Sequence, residues 1–199
     1  MHEIIDICCP GCGARVTTNQ NECEWCHKPI IISTFNSVYT MPLPEVNKFA
    51  GAYRKALAEY PDNIELNNSI AMCYLKLKLY DKALPAFEKA MENNFDNSET
   101  FFYAAICLLQ GKKPFLQQRS TINKIIEYIN AALMIEPKGI YNYFMALIKY
   151  DYFERKKLNT VPNYIDYLTM AQDEGVSDYD IEQLHLVLGF SNPSWDYTN

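Results

Sequence analysis

The sequence contains few of the residues that interrupt regular structure. Its 199 residues include only 7 glycines and 10 prolines, which excludes collagen-like and low-complexity classes. No apolar run approaches the about 18 residues that a membrane-spanning helix needs. The N-terminal segment also has neither the basic start nor the apolar centre of a signal peptide. We therefore expect a chain without a membrane span that resides in the cytoplasm.

Basic charge is also scarce. The chain has 18 Lys and Arg against 24 Asp and Glu, which gives a net charge of -6. Residues 1–35, which we call the head, contain two basic and four acidic residues. The head therefore offers no basic stripe for a polyanion. Gly-rich phosphate loops are absent, and His185 has no Ser or Cys partner at a recognisable spacing. The composition therefore predicts that the protein is not an enzyme and that nucleic acid is an unlikely partner.

Cysteine is present and unevenly distributed. Five of the 7 cysteines fall within the first 26 residues. Four of these form two C-x2-C pairs separated by ten residues, namely Cys9, Cys12, Cys23 and Cys26. Four thiolates around one ion match the tetrahedral coordination that Zn²⁺ prefers, and they leave no open position for water. The spacing predicts one structural zinc ion, without which a head this small is expected to be disordered.

Two other interpretations of the cysteines stay open. A rubredoxin-type iron site uses the same four sulfurs, and a Cys-Pro-Gly-Cys segment can act as a dithiol redox pair. We interpret Cys8 as a spare or packing thiol, and His2 and His27 as solvated side chains. A hairpin across residues 14–22 would bring the two pairs together. Residues 8–30, with the knuckle Cys9-Pro-Gly-Cys12-Gly, resemble the zinc-ribbon family, although His27 stands where that family commonly has Gly.

Helical periodicity begins near residue 44, after a segment that contains Pro42 and Pro44. The spacing predicts helices over 44–60, 64–78, 80–93, 98–110, 120–135, 140–155, 162–174 and 178–189. We expect domains at 1–35 and 44–190, a linker at 36–43 and a tail at 191–199.

An internal repeat accompanies this periodicity. Ala56, Ala90, Ala132 and Ala171 recur at intervals of 34, 42 and 39 residues, which fit a 34-residue unit with two loop insertions. The clearest unit, residues 64–97, pairs Ile70-Ala71-x-x-Tyr74 with Phe87-x-x-Ala90. Residues 44–176 thus resemble tetratricopeptide (TPR) repeats. The resemblance implies a mainly α fold, a TPR-like α-solenoid of about eight antiparallel helices, behind a small N-terminal β zinc ribbon.

The resemblance also implies where a partner would bind. The first helix of each pair would line a concave groove that is apolar with an acidic margin, and seven of its residues are candidate partner contacts: Asn68, Met72, Phe102, Ile106, Tyr141, Phe144 and Ile148. Such a groove would accept an extended apolar segment or an amphipathic helix. The alternative is that Phe102 and Phe144 are simply core residues.

The function predicted from these features is a non-catalytic adaptor or scaffold for protein–protein interaction. Its metal-binding head would carry one structural zinc ion, and its groove would hold a peptide or helix of a partner protein. An alternative is a regulatory module in which the zinc ribbon contacts nucleic acid while the repeats recruit a protein.

Overall fold

The structure is a computed structural model that describes residues 4–92 and 94–190. The predicted tail, residues 191–199, and the side chain of His2 lie outside the described residues. The chain divides into two compact units, Met1–Phe95 and Asp96–Asn199. Within the described part, no helix is both long and apolar enough to cross a membrane.

The first unit begins with two short antiparallel strands, β1 (Asp6–Cys8) and β2 (Arg15–Thr17). Its helices are α1 (Asn36–Tyr39), α2 (Leu43–Glu59), α3 (Ile64–Lys76) and α4 (Tyr80–Met91). The Asn63 side chain accepts a hydrogen bond from Leu66 N and thereby begins α3. The short connections place α2 against α3 and α3 against α4. Ala71 in α3 and Ala83 in α4 are both fully buried and let these two helices approach closely.

The second unit contains α5 (Ser98–Leu108), α6 (Arg119–Ile135), α7 (Gly139–Ile148), α8 (Tyr164–Asp173) and α9 (Asp178–Leu188). α5 packs on α6, α7 packs on α8, and α9 contacts α7. Capping boxes begin the last two helices, at Asn163 and Ser177. Gly139 has a steric role, since a Cβ there would lie 2.6 Å from Ala171 O and from Val176 N. The terminal helix predicted over 178–189 is therefore present and packs against a preceding helix.

The mainly α fold with a small N-terminal sheet is confirmed, and the helix bounds lie close to the predicted ones. One helix differs. The segment predicted as 140–155 is α-helical only to Ile148, continues as a π-helix over Lys149–Phe153 and ends as a 3-10 helix over Glu154–Lys156. The widened turn buries three consecutive side chains, Asp151, Tyr152 and Phe153, and a regular α-helix turns neighbouring side chains about 100° apart. Asp151 accepts a hydrogen bond from Phe115 N at 2.7 Å, which joins this turn to the insertion after α5.

The segment expected to be a linker is packed in the structure. The predicted linker, residues 36–43, contains α1 and the first residue of α2, and the division between compact units falls after Phe95 rather than near residue 36. The reason is a segment that we call the strap, residues 30–40. Ile30, Ile32 and Val38 in the strap are fully buried. The strap thus joins the N-terminal residues to the first helices as one packed unit.

Hydrogen bonds attach the strap to α2 and α3. The Tyr53 hydroxyl donates to Ile30 O at 2.9 Å, and Ile32 N donates to Ser69 Oγ at 2.9 Å. Asn68 Nδ2 donates to Ile32 O at 3.2 Å, and Lys76 Nζ donates to Tyr39 O. Because Tyr53 and Ser69 are themselves fully buried, these bonds satisfy polar groups that would otherwise be costly to bury.

Candidate metal centre

The four predicted ligands come together. The cluster consists of four sulfur atoms, one Sγ each from Cys9, Cys12, Cys23 and Cys26. They all lie within 4.8 Å of one another. The Sγ atoms of Cys9 and Cys26 are 3.6 Å apart, and those of Cys12 and Cys23 are 3.7 Å apart. A tetrahedron of sulfurs at 2.3 Å from a central ion has edges of about 3.8 Å. The cluster is therefore the right size to hold one metal ion.

The two halves of the site share one backbone pattern. In the first knuckle Gly13 N donates to Cys9 O at 2.9 Å, and Cys9 N donates to Ala14 O at 2.8 Å. In the second, His27 N donates to Cys23 O at 2.8 Å, and Cys23 N donates to Lys28 O at 2.9 Å. Each bond in one knuckle has its counterpart 14 positions later. The head thus presents the same metal-binding loop twice.

Two positions explain why the loops can close. Gly13 and His27 occupy equivalent places and both have positive φ, 84° and 55°. His27, the departure from the zinc-ribbon pattern, therefore adopts the left-handed conformation that a glycine adopts more easily. Gly11 is needed for a different reason, because a Cβ there would lie only 2.9 Å from Cys26 Sγ. The sequence alone gives no sign of this contact between Gly11 and Cys26.

The strand pairing differs from the predicted hairpin over residues 14–22. β1 pairs with β2 in the register Asp6 with Thr17, so the hairpin encloses the first knuckle instead of bridging the two knuckles. An isolated bridge between Glu22 and Pro29 encloses the second knuckle in the same way. The repeated C-x2-C spacing was the signal in the sequence that could have indicated this duplication.

The environment of the thiols is uneven. A backbone hydrogen bond from Trp25 lowers the pKa of the Cys23 thiol to about 7, whereas desolvation raises the pKa of Cys26 to about 12. Metal binding requires thiolates, so Cys23 is the more readily available of these two as an anion. Cys8 is exposed and lies outside the cluster, which agrees with a spare thiol and not with a packing one. His27 is exposed as well and faces Glu22.

The seven candidate partner contacts are not on a surface. Asn68, Met72, Phe102, Ile106, Tyr141, Phe144 and Ile148 are all buried, and none is more than 6% exposed. The strap covers α3 at Asn68, to which it is hydrogen-bonded. In the second unit, the Phe102 ring packs against Tyr141 at 4.6 Å between centroids and against Phe144 at 5.7 Å. The open groove expected at these residues is therefore corrected to core packing, the alternative left open for Phe102 and Phe144.

The two cysteines outside the head and His185 pack among structural neighbours. Cys73 and Cys107 are buried, and burial raises the pKa of both thiols, that of Cys73 to about 12. His185 Nε2 lies 3.4 Å from the Tyr143 hydroxyl, and its Nδ1 lies 3.2 Å from Phe190 O. The contact with Tyr143 connects α9 to α7.

Fold and site together define a TPR-like helical protein that carries a four-cysteine cluster near its N-terminus. Solved structures of MamA are among those that it resembles. A MamA MSR-1 structure is 19% identical with a TM-score of 0.52, covering 70% of this chain and 71% of that one. Two MamA AMB-1 structures are 18% and 20% identical, each with a TM-score of 0.53; the likeness covers 70% and 73% of this chain and 74% and 72% of those chains.

At these identities the likeness shows the fold alone, which is TPR-like. No family model matches the sequence, and no curated protein matches it either.

Proposed function

We propose that the chain is a non-catalytic scaffold for protein–protein interaction whose head is folded by one structural zinc ion. The observation that carries the proposal is the four-sulfur cluster at the start of a TPR-like fold. Cys9, Cys12, Cys23 and Cys26 would hold the ion, and all four positions of a tetrahedral ion would then be occupied by protein. Bound zinc would supply folding energy to the head and no reactive position for a substrate.

The metal would also act on the helices. Cys26 precedes the strap by only a few residues, and the strap is hydrogen-bonded to α2 and α3. A head that closes around zinc would therefore support the packing of α2 against α3. Zinc is favoured over iron as the occupant because it has no redox chemistry and suits closed four-thiolate structural sites. The cysteines of the cluster and the two core thiols suit a reducing compartment, so we place the scaffold in the cytoplasm.

The experiment compares two adjacent thiols. Cys9→Ser removes a ligand, and Cys8→Ser is the matched control because Cys8 is exposed and outside the cluster. Elemental analysis of the purified full chain should find one zinc per chain in the wild type and in Cys8→Ser, and a clear loss in Cys9→Ser. Iron in the wild type at one per chain would contradict the zinc assignment, and equal metal content in all three proteins would contradict the site.

The scaffold role needs its own measurement. The tagged full chain, expressed in its native cells, should retain a protein partner in a fixed ratio through washes of moderate salt. Cys9→Ser should retain less of that partner than Cys8→Ser. Failure of the wild type to retain any protein in a fixed ratio would contradict the scaffold role while leaving the metal site intact.

A further inference from the structure

A cleft of about 830 Å³ lies between β1 and α2 in the first unit. One wall is formed by residues of the head, including Asp6, Ile7, Cys8 and Arg15. The other wall is one face of α2, where the lining residues recur at helical spacing: Lys48, Gly51, Ala52, Arg54, Lys55, Ala56 and Glu59. A cleft of this volume is within the range of ligand-binding sites, about 300–1,000 Å³.

Apart from its cysteines, the lining of the cleft is basic although the chain is acidic. Its lining contains four cations, Arg15, Lys48, Arg54 and Lys55, against two carboxylates, Asp6 and Glu59, while the whole chain has a net charge of -6. Lys48 Nζ donates to Gly11 O.

The other three cations are exposed. Arg15, Arg54 and Lys55 form no ion pair with a carboxylate in residues 4–92 and 94–190. Asp6, Glu59 and the proposed zinc-bound thiolates of Cys9 and Cys12 lie in the same lining. Because neither carboxylate pairs with the three cations, these cations are available to an anionic occupant.

The walls also fit an extended backbone. In antiparallel pairing the bonds alternate, and the bonds Thr18 N to Ile5 O and Cys9 N to Ala14 O fix which positions of β1 face β2. Asp6 and Cys8 therefore point their backbone N–H and C=O groups away from β2, on the free edge of the strand. The opposite wall, α2, has only small residues at Gly51 and Ala52, and a Cβ at Gly51 would meet no atom within 4 Å. β1 and α2 both line the cleft, and a free strand edge is a place where an extended segment can add as a further strand.

We propose that this cleft binds an extended, acidic segment of a protein partner, whose carboxylates contact Arg15, Arg54 and Lys55. The inference rests on the proposed scaffold function and names the site and the chemistry of the partner. Along α2 from Lys48 to Glu59 the cleft would hold about five extended residues, given rises of about 1.5 Å and 3.3 Å per residue in helix and strand. A nucleic acid fits less well, because Tyr60 is the one aromatic ring in the lining and base stacking uses several.

The test uses the full chain and a defined probe. A fluorescein-labelled peptide of alternating Glu and Thr, about eight residues long to exceed the cleft, is titrated by fluorescence anisotropy. The double variant Arg54→Glu/Lys55→Glu reverses two cleft cations. The matched control Lys112→Glu/Lys113→Glu makes the same change of net charge at two exposed lysines of the second unit. Circular dichroism and metal content verify that both variants remain folded.

We expect the cleft variant to weaken peptide binding at least tenfold and the control to change it by less than about threefold. Equal weakening in both variants, or no binding by the wild type, would overturn the inference. Two further arms exclude other occupants. Tighter binding of a thymidine oligonucleotide of equal charge, with the same dependence on Arg54 and Lys55, would assign the cleft to nucleic acid. Wild-type dimers that the cleft variant abolishes, seen by light scattering, would assign it to a second copy.

The result is separable from that of the scaffold experiment. If the cleft variant still retains the cellular partner but the wild type does not bind the acidic peptide, the scaffold function stands and this inference fails. If the peptide binds through Arg54 and Lys55 but the wild type retains no cellular protein, the binding site stands and the scaffold function fails.

Discussion

The two compact units of this protein reach a folded state by different means. The second unit depends on side-chain packing, with fully buried rings such as Phe144 and small residues such as Ala146 on the same helix. The first unit also has an apolar core, but its N-terminal third is a small head with a four-sulfur cluster. A short segment without helical periodicity, the strap, connects that head to α3 through hydrogen bonds at Ile32. The comparison teaches that the head and the helices of the first unit are joined by one packed segment, through which the proposed metal site would act on the helical core.

Metal removal should separate the two units most strongly. Structural zinc contributes on the order of 10 kcal/mol to the folding of a small domain, so its loss should unfold the head and release the strap. Hydrogen exchange followed by mass spectrometry, with and without a chelator, should show lost protection over β1, β2 and the strap and reduced protection in α3. Helix α7 should keep its protection. Equal loss in α7 would mean that the second unit also depends on the metal.

The reverse experiment alters the second unit. Phe144 is fully buried against Phe102, so Phe144→Ala should lower the free energy of unfolding of that unit by about 3–5 kcal/mol. The control Met134→Ala removes a side chain that is 87% exposed and should have little effect. Urea unfolding measured by circular dichroism gives both values, and metal content should stay unchanged. A Phe144→Ala protein of wild-type stability would return this ring to the surface of a groove.

A third change tests the strap alone. Ser69→Ala removes the buried acceptor of Ile32 N, and leaving that N–H unsatisfied should cost about 1–3 kcal/mol. Ser33→Ala is the control, because the Ser33 side chain is exposed and adjacent to the same hydrogen bond. Thermal unfolding of the metal-loaded proteins should show a lower Tm for Ser69→Ala alone. The same Tm in both variants would indicate that the strap contributes little to the first unit.

The smallest effect concerns pH and the second unit. Hydrogen bonds from Lys138 and from Ser98 lower the pKa of the Glu136 carboxyl below its usual 4.5. Because the folded-state pKa is the lower one, the stabilisation is present above pH 4.5 and is lost as the pH falls through the folded value. Glu136→Gln should therefore have a slightly lower Tm than the wild type at pH 7, as befits an exposed group. The difference should vanish in acid; a difference that persists there would point to packing rather than charge.

Most of the helical fold could be predicted from the sequence because the signals are local. The first turn of α3 follows Asn63 and that of α5 follows Asn97, two capping residues, and apolar residues recur at helical spacing between them. The cluster of four cysteines could likewise be predicted from the sequence, since two C-x2-C pairs at this spacing have few other uses. Both kinds of signal lie within a short stretch of chain, so neither requires knowledge of distant contacts.

The predictions that failed concern helix faces that other segments of the chain cover. Met72 and Phe102 have the spacing of groove residues, but the same spacing describes a buried face, and only tertiary contacts distinguish the two. The strap has no helical periodicity, so nothing in its sequence indicated that it packs on α3. The basic cleft was also invisible, because counting charge over residues 1–35 includes Arg15 and excludes Arg54 and Lys55. Such features arise when segments distant in sequence come together.

The duplicated knuckle has a consequence for how the ion would be held. The two loops have equivalent hydrogen bonds 14 positions apart, and exchanging one loop for the other replaces the Cys9–Cys26 pair of sulfurs, 3.6 Å apart, by the Cys23–Cys12 pair, 3.7 Å apart. Each loop supplies half of the coordination shell, and neither is a spare for the other. Loading should therefore proceed as a single step, with no half-closed head in between, since one loop alone offers an ion only two of its four bonds.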